Sequence, residues 1–234
     1  MSLKQVLRLI WNNSLRNATF EFEEIVGHDD IKTIFTKALL SKRPIHVLLL
    51  GQPGCAKTMF LTEILHSMKQ SYFIVGSNTS KAGLVNQLFE RRPKFLLIDE
   101  LDKTNKVDQT SLLHLMETGI ISETKIRKTR QIELTSWVFA TANATEKIIE
   151  PLLSRFLILR VPEYSFEDFT NIAVNRLAKE KVNKETATII AEKVWTVLDS
   201  RDIRDVIKVA RLVTNQEEIH HIIGIVKCYS KKNN

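Results

Sequence analysis

GQPGCAKT, residues 51–58, stands directly behind the apolar run HVLLL (46–50) and leads into TMFLTEILHSM. A strand, a glycine-containing loop and a helix in that order form a cup for phosphate. Loop N–H groups point inward, and the helix N-terminus adds partial positive charge. In this frame Lys57 reaches the β- and γ-phosphates of a nucleotide, and the Thr58 hydroxyl turns to Mg²⁺. The nucleotide contacts are expected along Gly51, Gln52, Pro53, Gly54, Cys55, Ala56, Lys57, Thr58 and Met59. Gly51 and Gly54 cover the sharpest turns. The pattern G-x-x-x-x-G-K-[ST] asks for glycine where Ala56 stands. The chain is expected to be entering the helix there, so a methyl is tolerated as long as φ is not positive.

A second set of groups sits in KFLLIDELDK (94–103). A strand ending in Asp99 and Glu100 places two carboxylates at one sheet edge. Asp99 is expected to hold the metal through water, and Glu100 to polarise the attacking water as general base. Asp102 is read as a cap for the next helix. WVFATAN ends in Asn143, whose amide is suited to orient the same water. EPLLSRF carries Arg155, at the end of a short helix. It is read either as an ordinary surface arginine or as a finger reaching a neighbouring subunit's γ-phosphate.

These groups need a scaffold that brings several strand ends together. Apolar runs at 46–50, 72–75, 94–99, 137–142 and 156–161 alternate with helical patterns. Continuous runs of this kind read as buried parallel strands, hence an open α/β sheet with helices on both faces. All five prolines and six of the seven glycines lie at or before position 162. Beyond it, apolar residues recur at helical spacing in four sets: Phe166–Leu177, Ile190–Leu198, Ile203–Ala210 and Ile219–Val226. The expected organisation is an α/β core over 1–162, with an N-terminal amphipathic helix carrying Leu3, Val6, Leu7, Ile10 and Trp11. A small all-helical domain over 163–234 follows.

With 234 residues and 44% hydrophobic side chains the chain can bury a full core. Two cysteines, Cys55 and Cys228, are far apart in sequence. That favours a reducing compartment, and a cytoplasmic location is expected. No apolar stretch approaches the length of a membrane span, and Arg8 interrupts what would be a signal segment. The net charge is +7, with +6 of it in residues 1–162, which favours anionic partners. His220 and His221 face different sides of a predicted helix, so no further metal site is expected.

Taken in order, GQPGCAKT, FLLIDE, ATAN, LLSRF and a helical tail resemble the AAA+ ATPases, whose Walker A, Walker B, sensor 1, arginine finger and lid they match. The resemblance covers about residues 20–215. It implies a P-loop ATPase core with a helical lid, ATP/ADP and Mg²⁺ as ligands, and a homo-oligomer, a hexameric ring when active. FEEIVGHDDIKTIFTKAL before RPIHVLLLGQPG is similar to the RuvB branch-migration motors. The G-x-P-G-x-A-K-[ST] loop, SKAGL, IDELDK and LMETG resemble the MCM replicative helicases, where alanine at the position of Ala56 is a familiar variant. By the same analogy Val26 and Gly27 line the adenine pocket. A sensor 2 arginine in SRDIRDVIKVARL is Arg204 or Arg201, which helical spacing puts on nearly the same face; Arg204 is favoured. RuvB continues into a winged-helix domain, whereas this sequence ends at Asn234. MCM proteins carry a large N-terminal DNA-binding region and an insertion before Walker B. Only the motor core is therefore carried over.

GIISETKIRKTRQIELTSW (119–137) reads as a β-hairpin with Lys125, Arg127, Lys128 and Arg130 at its tip. Basic side chains there follow a phosphate backbone without reading sequence, or form a solvated turn. Three functions stay open: a DNA-translocating or remodelling ring, a protein-remodelling ATPase like the MoxR-type chaperones, and a nucleotide-gated loader with little turnover. Glu100, Asn143 and Arg155 argue against the third. A separate subunit supplying substrate recognition is compatible with the first two.

Overall fold

The computed structural model describes residue 22 and residues 25–78, 81–125 and 128–230. The N-terminal stripe from Leu3 to Trp11 lies outside the described residues. The chain divides into two compact units. One comprises the described residues up to Gly51 together with Lys57–Val161; the other comprises Gln52–Ala56 together with the described residues from Pro162 onward.

In the first unit the order is α1 (Asp29–Leu39), β1 (His46–Leu50), α2 (Lys57–Ser67), β2 (Ser71–Val75), α3 (Lys81–Arg91), β3 (Phe95–Asp99), α4 (Lys106–Thr118), β4 (Ile120–Lys125), β5 (Lys128–Glu133), β6 (Trp137–Ala142), α5 (Glu150–Leu153) and β7 (Phe156–Arg160). Five strands form one sheet in the order β2-β3-β6-β1-β7. Every neighbouring pair is parallel. Alternation of side chains along β6 shows why the runs had to be continuously apolar. Val138 and Ala140 join Leu48, Leu96 and Ile98 beneath Leu84 and Leu88 of α3 and Leu112 and Leu115 of α4. Phe139, between them, meets Phe35 of α1 at 5.3 Å between ring centroids, and Phe35 meets Phe60 of α2 at 5.0 Å. Helices therefore cover both faces. The interior strands β1 and β6 are buried throughout, whereas the edge strand β7 exposes Leu157 and Ile158.

Strands β4 and β5 form a separate antiparallel hairpin with register Ile120↔Glu133 to Lys125↔Lys128. It starts where Gly119 ends α4 at φ 72°, donating to the Leu115 carbonyl. A Cβ at Gly119 would lie 2.6 Å from the Leu134 carbonyl oxygen, so the close return of the chain excludes a side chain.

The second unit holds the four helices expected: α6 (Phe166–Ala178), α7 (Lys184–Thr196), α8 (Ile203–Leu212) and α9 (Ile219–Ser230). The N-termini of α6, α7 and α8 are set by side chains that accept backbone N–H bonds: Ser165, Asn183 and Asp202. Phe169, Ala173, Leu177, Ile190, Val194, Val206, Val209, Ile219 and Ile223 form its core.

Candidate nucleotide site

The order of the sheet brings the chemistry together. Strand β6 lies between β1 and β3, so the segments leaving all three C-terminal ends are neighbours. These are the loop at Gly51, the Asp99–Glu100 pair and the turn at Asn143. Ligands of open α/β sheets bind at this edge.

Thr58, in the first turn of α2, donates its hydroxyl proton to Asp99 at the end of β3, 3.0 Å from either carboxylate oxygen. Thr141 in β6 donates to Asp99 Oδ1 from the other side, at 2.5 Å. The same Thr141 oxygen accepts the Glu100 N–H at 3.0 Å. One carboxylate is thus held by two hydroxyls from two elements. A hydroxyl that gives its proton to Asp99 keeps its lone pairs for a cation. Thr58 and Asp99 form an oxygen-only donor set, which suits Mg²⁺. Thr141 escaped the sequence reading. Its signal was a hydroxyl at a 2% exposed position in a strand otherwise wholly apolar.

Lys57 is 7% exposed, and its Nζ donates to the Gly51 carbonyl at 2.9 Å. The loop is shaped by close approaches. A Cβ at Gly51 would stand 2.7 Å from the Val161 carbonyl oxygen. Gly54, at φ 89°, lies against the backbone of Arg201 and Asp202 within the second unit. Cys55 is buried, and Gln52, Pro53 and Met59 are wholly or partly exposed. Ala56 corrects the sequence expectation. Its φ is 57°, in the left-handed region, rather than a value on the way into the helix. Its methyl packs against the core of the second unit.

Glu100 also adopts the left-handed conformation, at φ 55° and ψ 52°. Gly76, after β2, allows this. A Cβ there would run into the Glu100 carbonyl oxygen. Asp102 is buried and accepts the Asn143 N–H at 3.4 Å. It does not cap the next helix: Asn105 does, accepting the Asp108 N–H at 3.0 Å. Glu100 and Asn143 are therefore linked to the same strand ends, through Thr141 and Asp102 respectively.

Arg155 stands apart from this group. It is exposed just after α5, and its Nη2 meets Glu117 Oε1 of α4 at 2.6 Å. Val26 and Gly27 lie half-buried before α1, Gly27 at φ 68°.

The two sensor 2 candidates part company. Arg201 precedes α8 and is not on its face, contrary to the sequence expectation. Its guanidinium stacks on Trp195 at 3.7 Å and donates to the Trp195 carbonyl at 3.1 Å. Arg204, in the first turn of α8, is 68% exposed and holds only Asp202 among the contacts described, at 2.6 Å. Burial works against the charge of Asp202, but the bonds from Arg204 keep its carboxyl below the usual range.

The hairpin cations also divide. Arg127 lies outside the described residues, and Lys125 and Lys128 close the ladder at the tip. Arg130 is instead engaged inside its own unit, by Glu123 at 2.6 Å, the Phe89 ring at 4.1 Å and Asn86. It is not a tip residue offered to a ligand. No helix among the described residues is long and apolar enough to cross a membrane.

Residues 47–163 match the family model described as "ATPase family associated with various cellular activities (AAA)". Among known proteins, the chain is 30% identical to DNA replication licensing factor mcm2 of Schizosaccharomyces pombe over 178 residues, covering 58% of this chain and 21% of that protein. It is 24% identical over 222 residues to DNA replication licensing factor MCM7 of Oryza sativa subsp. indica, covering 82% of this chain and 27% of the relative. The chain thus spans about a fifth to a quarter of the length of these relatives. Among solved structures, the RuvB Holliday junction branch migration motor of Thermotoga maritima superposes with TM-score 0.65 at 21% identity, over 86% of this chain and 70% of that one. A mutant of the same protein gives 0.69 at 20% identity, over 88% and 72%.

Proposed function

The chain belongs to the AAA family of ATPases, and from that premise we propose that it is an Mg²⁺-dependent ATP hydrolase, active as a ring of subunits and working on DNA. The observation that carries the first part is the Thr58–Asp99–Thr141–Glu100 constellation at the strand ends. Lys57 and the loop hold the phosphates. Thr58, and Asp99 through water, hold Mg²⁺, which supplies charge neutralisation at the β- and γ-phosphates. Glu100 takes the proton of the attacking water, whose position Asn143 fixes. Arg155, exposed just after short α5, reaches the γ-phosphate of a neighbouring subunit, and Arg204 serves as sensor 2. Val26 and Gly27 contact the adenine.

For the substrate, support comes from the likeness to the licensing factors and from the hairpin, whose ladder closes at Lys125 and Lys128, with Arg127 between them in the sequence. Three cations on a narrow arm suit a phosphate backbone read without regard to sequence.

The test is steady-state ATP hydrolysis without DNA and with single strands, duplex and four-way junctions, using Glu100→Gln as the blank. DNA stimulation that vanishes when Lys125, Arg127 and Lys128 are neutralised supports the DNA motor. Hydrolysis indifferent to every DNA refutes it and assigns the chain to protein remodelling.

A further inference from the structure

Gln109 is fully buried on α4. Its Nε2 donates to the Thr104 carbonyl at 3.1 Å and to the Lys147 carbonyl at 2.9 Å. Its Oε1 accepts the Ile149 N–H at 2.8 Å. Two carbonyls and one N–H also fix which way the amide points. Thr104 lies in the turn that leaves Asp99 and Glu100. Lys147 and Ile149 lie in the turn that leaves Asn143, and Ile149 is the N-cap of α5. Helix α5 has four residues and runs straight into Arg155, whose N–H bonds the Leu152 carbonyl at 3.1 Å.

A helix of one turn does not hold itself in place. The ion pair between Arg155 and Glu117 does not set its position either. Both partners are more than 40% exposed, and such pairs contribute little. Ile148 and Leu152 hold the segment's apolar side in the core, which is non-directional. The buried amide is the directional fixed point of its backbone, since each bond it makes replaces water that cannot reach the site.

We propose that Gln109 is a positioning residue for Arg155: it ties the segment bearing the finger to the helix that leaves the Walker B carboxylates of the same subunit. The inference rests on the finger reading of Arg155. It predicts a defect in a site Gln109 does not touch, the nucleotide site of the next subunit.

The experiment uses mixtures of variants. Gln109→Met keeps volume and helix propensity and removes all three bonds; Gln109→Glu keeps the acceptor for Ile149 and removes both donations. Alone, Gln109→Met is expected to bind ATP within about twofold of wild type and to hydrolyse it at least about tenfold more slowly, in kcat rather than KM. Gln109→Glu, which sets a carboxylate oxygen against the two carbonyls that Nε2 served, should be at least as slow. Each is then mixed with Lys57→Ala, which cannot hold nucleotide but carries an intact finger. Hydrolysis recovers on mixing if the lesion lies in the finger, because the intact nucleotide site of one subunit meets the intact finger of the other. No recovery, with both variants folded by thermal melting, overturns the role of Gln109. Arg155→Ala mixed with Lys57→Ala is the control for the underlying reading. Recovery there but not with the Gln109 variants refutes only the positioning role; no recovery in either refutes the finger itself.

Discussion

The guanidinium of Arg130 lies 4.1 Å from the centroid of the Phe89 ring, so the hairpin is fastened to helix α3 partway along its ladder, at the Glu123↔Arg130 pair. The fork also pairs with Glu123 across the ladder at 2.6 Å and reaches Asn86 on α3. Lysine cannot reproduce both the stack and the fork. Arg130→Lys should therefore loosen the hairpin by about 1 kcal/mol while leaving its charge unchanged. Amide exchange over 120–133 should rise about fivefold relative to the sheet strands. If DNA binding is measured, Arg130→Met should leave the salt slope as it is, whereas Lys128→Ala should reduce it by about one phosphate contact. A reduced slope for Arg130→Met would place Arg130 on the nucleic acid instead.

Thr141→Val removes one hydroxyl without changing shape. Asp99 loses the donor at 2.5 Å, and the Glu100 N–H loses its acceptor. The Glu100 N–H is only partly buried, so losing its partner costs about 1 kcal/mol, and the backbone that carries the general base would shift to recover it. ATP hydrolysis should drop at least about tenfold, with ATP affinity changed much less. Thr141→Ser should restore most of the rate. Wild-type hydrolysis by Thr141→Val would mean that Thr58 alone suffices to place Asp99.

Ala56 holds a left-handed φ of 57°. For a residue with a Cβ this costs roughly 1–2 kcal/mol, more than the unfolded-state entropy that glycine adds back. The methyl is partly buried against the second unit's core, so its removal returns a fraction of about 0.8 kcal/mol. Ala56→Gly should thus be neutral to slightly stabilising in urea unfolding and keep nucleotide affinity. Ala56→Val, branched at Cβ, should lose both. A loss above about 1 kcal/mol for Ala56→Gly would show that packing outweighs strain.

The α/β architecture was legible because both sheet faces are covered: β1, β3 and β6 had to be unbroken apolar runs, and their ends had to carry the polar chemistry. The four helices were legible from one buried stripe each. The φ of Ala56 was not, since it depends on how the loop turns between β1 and α2, and a residue type does not state its dihedral. Arg130 looked like one more basic tip residue because its partner Phe89 is distant in sequence and sits on another element. Gln109 gave no signal because its partners lie 38 and 40 residues away in a turn that only the sheet order brings to it. Arg201 and Arg204 could not be separated because a helix start one residue after Asp202 puts one of them outside the helix.

His46 opens β1 with its ring buried, and Nδ1 accepts the Val138 N–H at 3.1 Å. Burial lowers its pKa to about 4, against a weaker opposing bond to the Met116 carbonyl. The unfolded chain titrates near 6.5, so above that value both states are neutral and the folded protein has its full stability. Between pH 6.5 and 4 the unfolded chain takes up a proton that the folded one refuses, and stability falls as pH falls, by about 3 kcal/mol in total. Urea unfolding from pH 8 to pH 4.5 should trace most of that loss. His46→Asn keeps an acceptor for Val138 and does not titrate in this range, so its curve should be flatter by that amount. Parallel curves for the two proteins would mean that carboxylates elsewhere, and not His46, set the acid limit.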